Sequence, residues 1–135
     1  MRLTDLIRRF GYQLLAATPL GTITHVETRE PIAALTFDDG PHETATPALL
    51  DVLAEHRVKA TFFLLGDAVA RRPRLVRDIT SRGHAIGNHT FDHPHLVEIP
   101  AREVRSQIRR CQAAVEDALL CQGEGENQAG GAPPP

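Results

Sequence analysis

With 135 residues, a formal net charge of −2 and 41% hydrophobic residues, the chain has the make-up of a globular domain rather than a disordered segment. A near-neutral balance excludes the general electrostatic attraction that nucleic-acid binding needs. An aromatic content of 4%, without Trp, leaves few platforms on which bases or sugars could stack.

Residues 1–30 read as an amphipathic extension, with Leu3, Leu6, Ile7 and Phe10 set against Asp5, Arg8 and Arg9. The apolar run from Leu14 to Ala17 is too short for a membrane span, which takes about 20 residues, so no transmembrane segment is expected. It also falls short of the roughly 7–15-residue core of a secretory signal.

The first predicted strand is Ile32 to Phe37, an almost unbroken apolar run of the kind buried on both faces of a parallel sheet. Pro31 suits its first position. Asp38 and Asp39 follow. Successive side chains on an ideal strand point to opposite faces, so the two carboxylates serve one site only if the pleat breaks, and Gly40-Pro41 is the expected break. Next comes a helix with Thr46 as N-cap, Pro47 at its first position and a stripe of Leu49, Leu50, Val52 and Leu53, ending near Arg57. A second strand covers Ala60 to Leu65. A second helix begins near Pro73, turns Leu75, Val76 and Ile79 inward and ends at Gly83. The third strand, His84 to Gly87, leads directly to Asn88 and His89.

His89 and His93 are spaced i, i+4, and one helical turn would bring their side chains to one side, about 5–6 Å apart at Cβ. Such a pair alone is weak evidence of a metal site. Beside an apolar strand ending in two aspartates it becomes specific: Asp39, His89 and His93 can close around a divalent cation and leave positions open for water. Asp38 is then the candidate base for that water. Two imidazoles and a carboxylate suit Zn²⁺, and also Co²⁺, Mn²⁺, Ni²⁺ or Fe²⁺, so the donor set does not name the ion. Thr90 is expected to steady the loop. Asp92 is expected to orient a histidine or to face water, and His95 is a spare imidazole.

The last helix runs from about Pro100 to Leu120. Val104, Ile108, Cys111, Val115, Ala118 and Leu119 recur at helical spacing, and a mixed Arg/Glu/Asp face is expected to be solvated. On one helix Cys111 and Cys121 would lie about 15 Å apart along the axis, beyond disulfide reach, so both are expected to be free thiols. Residues 122–135 form a Gly/Pro-rich tail.

Thr36-Phe37-Asp38-Asp39-Gly40-Pro41 resembles the first motif of the polysaccharide deacetylases, carbohydrate esterase family four or the NodB homology domain. His89-Thr90-x-x-His93-Pro94 resembles the second, with Ala60-Thr61-Phe62-Phe63-Leu64 and Gly83-His84-x-Ile86-Gly87-Asn88 between them. The resemblance spans roughly residues 30–115. It implies a deformed (β/α) barrel, a metal held by Asp39, His89 and His93, and Asp38 as catalytic base. The implied reaction is removal of acetyl groups from N-acetylated polysaccharides or oligosaccharides, some members acting on O-acetyl esters. Members often act at the cell envelope, and no clear signal peptide is expected here.

The family's third motif, with its arginine, and the later motifs that supply an acid histidine should follow the last helix. No match is present, and His25, His42, His56, His84 and His95 do not correspond to the acid position. A closed barrel takes about 200 residues or more, so the expected fold is α/β, an incomplete barrel of three β-α units truncated before closure. The domain reading is 1–30 extension, 31–121 N-terminal part of the catalytic domain and 122–135 tail. A metal-dependent deacetylase and a catalytically silent metal-binding or interaction fragment are the two readings kept. An iron oxygenase uses the same donor types but belongs on a β-rich fold, against the alternating pattern here.

Overall fold

The computed structural model describes residues 28–120. Most of the amphipathic extension expected over 1–30, together with Cys121 and the tail, lies outside them. Within 28–33 the Thr28 hydroxyl accepts the Glu30 N–H at 3.1 Å, and the main folded unit begins at Ala34. Among the described residues no helix is long and apolar enough to cross a membrane.

Three parallel strands, β1 (Thr36–Gly40), β2 (Thr61–Leu64) and β3 (Ala85–Asn88), form one sheet in the order β1-β2-β3. Helix α1 (Ala45–Glu55) connects the first pair of strands. The short α2 (Gly66–Arg71) and α3 (Pro73–Ser81) connect the second, and α4 (Ala101–Leu120) follows β3. This is the expected α/β plan, a partial parallel sheet that does not close.

The core lies between sheet and helices. Leu50, Leu64, Val69, Val76 and Ile79 are each 0% exposed, with Phe62 at 2%, Leu53 at 4% and Ala118 at 3%. Each large aliphatic so buried contributes about 1.5–3 kcal/mol of transfer free energy. Phe37 packs against this cluster from the side, and α4 lies across α2 and α3.

Several local expectations are corrected. The first strand is displaced toward the aspartates and is not buried on both faces: Leu35 is 41% exposed and precedes the strand, because among the described residues β1 is an edge with only β2 beside it. Helix α1 starts at Ala45, so Thr46 lies inside it. The Thr46 hydroxyl, buried in the first turn, accepts the His42 N–H at 2.8 Å instead of capping from outside. Pro47 is tolerated there because first-turn N–H groups have no partner within the helix. The inward stripe of α1 is Thr46, Leu50 and Leu53, leaving Val52 51% exposed.

Helix α2 was not foreseen. Leu65 at its N-cap makes no side-chain cap, and the Gly66 and Asp67 N–H groups donate instead to the carbonyls of Thr90 (3.0 Å) and Phe91 (2.9 Å). On α4, Ile108 is 46% exposed and Gln107, 3% exposed, takes the inward place. Helix α3 ends as expected: Gly83 has φ +79°, its N–H donates to Thr80 O at 2.9 Å and that of His84 to Ile79 O at 3.2 Å. This paired closure is the Schellman arrangement that glycine adopts without a Cβ penalty. Cys111 is a buried free thiol, donating to Leu64 O at 3.2 Å, and burial pushes its pKa up.

His84 gives the fold a pH dependence. It is 7% exposed, and its Nδ1 accepts the Ala60 N–H at 3.2 Å, which requires the neutral ring protonated on Nε2. Burial, then the charges of Lys59 and Arg82, lower its pKa. Because the unfolded chain takes up this proton first, the contribution of His84 is complete above about pH 6.5. It is lost as the pH falls from there toward the lowered folded-state value. Thermal unfolding between pH 7 and 5 should show a steeper loss of stability for the natural chain than for His84→Gln. Parallel profiles would refute the assignment.

Candidate metal centre

Asp39 stands where β1 loses its register. Thr36 and Phe37 pair with Thr61 and Phe62, but Gly40 pairs with Leu64, so β1 spends one extra residue between Phe37 and Gly40. Asp39 takes φ 67°, and the pleat therefore breaks at Asp39 itself, within the strand, rather than after it at Gly40-Pro41. Asp38 precedes it as an exposed strand residue.

His89 follows β3 directly, and its N–H donates to Leu64 O at 3.0 Å. Residues 89–93 form an irregular loop and not the helical turn expected of an i, i+4 pair. Thr90 (φ 70°) and His93 (φ 61°) adopt the left-handed conformation, which costs a residue with a Cβ about 1–2 kcal/mol. Their neighbours compensate. Asn88 Oδ1 accepts the Thr90 N–H at 3.0 Å, and the Thr90 hydroxyl accepts the His93 N–H at 3.1 Å, so Thr90 does steady the loop. The loop thereby folds His93 back toward His89, with ring centroids 4.9 Å apart.

Asp39, His89 and His93 thus meet at the C-terminal ends of β1 and β3, the end at which barrels of parallel strands carry their chemistry. Asp39 Oδ1 is 3.3 Å from His89 Nε2 and 3.6 Å from His93 Nε2, and one donor atom from each residue lies within 4.8 Å of the others. Donors each about 2.0–2.2 Å from a common ion are about 3.0–3.6 Å apart at the usual angles, and both distances from Asp39 match that spacing. The side chains of His93 and Asp39 are 58% and 66% exposed, leaving the centre open to water and a large substrate.

Behind the centre, Phe63 packs toward His89, with centroids 6.4 Å apart. Gly87 makes room for that ring: a Cβ there would lie 2.3 Å from Phe63 Cδ1. Asp92, expected either to orient a histidine or to face water, is exposed as the second expectation has it, and also accepts from Gln107 Nε2 at 2.9 Å. The Arg110 guanidinium lies 3.7 Å over the Phe91 ring, so the polar face of α4 is not purely solvated. His42, His56 and His95 are exposed, and His84 lies at the opposite end of β3. Gln107 was missed by sequence reasoning. Its one signal was a polar side chain at the inward position between Val104 and Cys111.

Known proteins are similar to this chain over much of its length. The chain is 50% identical over 84 residues to a peptidoglycan-N-acetylglucosamine deacetylase of Listeria monocytogenes, covering 62% of this chain and 18% of that protein. It is 44% identical over 99 residues to a chitooligosaccharide deacetylase of Sinorhizobium fredii, covering 73% of this chain and 46% of that protein. A family 4 carbohydrate esterase from Streptomyces lividans, solved with acetate, superposes with a TM-score of 0.61 at 38% identity, over 63% of this chain and 44% of that one. The chain therefore spans less than half the length of each. The sequence profile of the polysaccharide deacetylases matches residues 25–124, and with the same strand and helix units recurring in the solved esterase, the chain belongs to the polysaccharide deacetylase family.

Proposed function

We propose that this chain carries the metal-binding and base-bearing part of a hydrolase that removes acetyl groups from an N-acetylated carbohydrate polymer such as peptidoglycan or a chito-oligosaccharide. The observation that carries this reading is the convergence of Asp39, His89 and His93 from two strand ends. These three side chains hold the divalent ion, with Zn²⁺ first in the order of expectation. Such an ion, when bound, lowers the pKa of a water ligand from 15.7 toward about 7 and polarises a carbonyl oxygen.

The protein's own part is proton transfer and placement. A carboxylate oxygen of Asp38 accepts the proton of the water as its oxygen bonds to the acetyl carbonyl carbon. The carbon–nitrogen bond then breaks, releasing acetate and an amine that must leave protonated. Asp39 and the histidines orient these events.

Asp38→Asn is expected to keep metal affinity within a few-fold and to lower turnover about 10²–10⁴-fold in a version that turns over. Unchanged turnover would remove Asp38 from the role of base. A catalytically silent metal-binding or interaction module is the second reading. Acetate release from N-acetylglucosamine oligomers, with and without added Zn²⁺ or Co²⁺, separates the two. Metal-stimulated release supports the hydrolase, and metal uptake without release selects the silent module.

A further inference from the structure

We infer that Gln107 is a positioning residue for the metal centre, acting from α4 on the loop that carries both histidines; the inference rests on the metal-binding reading above. Gln107 is 3% exposed and hydrogen-bonds to none of the three donor residues. Its Oε1 accepts two consecutive backbone N–H groups, those of Phe91 (2.9 Å) and Asp92 (3.2 Å). Its Nε2 donates to Asp92 Oδ1 at 2.9 Å and, at 3.5 Å, to Glu103 Oε1. One amide therefore satisfies both N–H groups at the middle of the five-residue segment from His89 to His93.

The remaining backbone N–H groups of that segment are also engaged. His89 N–H goes to Leu64 O, Thr90 N–H to Asn88 Oδ1 and His93 N–H to the Thr90 hydroxyl, while α2 donates to the Thr90 and Phe91 carbonyls. A second tie to α4 runs from Asn88 Nδ2 to Ile108 O at 2.8 Å. The loop needs this bracing. Two of its residues hold positive φ, and they are Thr90 and the ligand His93. Without Gln107, the Phe91 and Asp92 N–H groups lose their acceptor and the Asp92 carboxylate keeps only the more distant Arg110, at 4.0 Å. The segment can then relax out of its left-handed turns, carrying His93 away from Asp39. Only an amide fits all these roles: an acceptor for two N–H groups on one atom and a donor to a carboxylate on the other.

The pair has a polarity that can be reversed. In Gln107→Glu the two N–H groups keep an acceptor, but the second oxygen faces the Asp92 carboxylate. Adding Asp92→Asn returns a donor to the pair and restores the original net charge. The experiment measures Zn²⁺ affinity of the full chain by competition with a chromophoric chelator, together with the Co²⁺ absorption spectrum. Thermal unfolding in EDTA reports separately on the metal-free fold.

Gln107→Ala and Gln107→Glu are each expected to lower Zn²⁺ affinity about 10–100-fold, as loss of a supporting partner typically does. The double variant Gln107→Glu/Asp92→Asn is expected to recover most of it. A merely structural role would lower the unfolding temperature in EDTA and leave the affinity of the folded protein unchanged. Affinity within twofold of the natural chain in either single variant overturns the inference. Should Gln107→Ala not fold, failure of the double variant to regain affinity relative to Gln107→Glu overturns it equally. If the natural chain takes up no Zn²⁺, the metal-binding reading itself falls.

Discussion

His89→Ala is expected to reduce Zn²⁺ affinity by on the order of 10²–10³-fold while leaving the metal-free fold nearly as stable as before. The magnitude follows from apportioning the roughly 10–16 kcal/mol of a four-ligand zinc site among its donors. Stability is spared because the centre sits at open strand ends, with Asp39 and His93 largely exposed, while the core lies beneath the sheet. The measurement is the rise in unfolding temperature on adding Zn²⁺. At one hundred times the dissociation constant the natural chain gains about 2.7 kcal/mol, and the variant at the same concentration gains well under 1 kcal/mol. An equal rise in both proteins would mean that the ion binds elsewhere.

The second large effect concerns packing. Gly66→Ala places a Cβ 2.5 Å from Phe91 Cδ2 and 2.7 Å from Cys111 Cα, and the latter is helix backbone that a rotamer change cannot move. Relief requires α2 to separate from α4, and overpacking of this kind costs about 1–3 kcal/mol, sometimes more. For a domain of this size each kcal/mol lowers the melting temperature by about 4–8 °C. Helix propensity pulls the other way, favouring Ala over Gly by about 1 kcal/mol, so the sign of the result is decisive. A net fall shows close packing, and a higher melting temperature would show room that the structure denies. The same substitution should weaken metal binding, because the Gly66 N–H holds the Thr90 carbonyl.

The two predictions probe features that differ in how far the chain's own pattern revealed them. Asp39, His89 and His93 stand out as residue types beside apolar runs, and metal chemistry restricts what such a trio can do. Their geometry did not follow from spacing. An i, i+4 interval suggests a helical turn, yet the histidines meet through a loop whose left-handed residues are held by Asn88, Gln107 and the first N–H groups of α2. Helix α2 escaped notice for the same reason: its cap is a pair of carbonyls from a loop more than twenty residues later. Gln107 escaped because periodicity favoured its apolar neighbour Ile108 for the inward face.

By itself the sequence determined the alternation of strand and helix, the buried stripe of α3, the donor types of the candidate metal centre and the family motifs. These depend on hydrophobic period and on side-chain chemistry, which are local properties. The tertiary structure alone decided where β1 breaks its register, how His93 returns to face Asp39, and which buried amide braces the loop between them. Those outcomes depend on hydrogen-bond acceptors and packing surfaces contributed by distant elements, and no local pattern specifies a partner that only folding brings near.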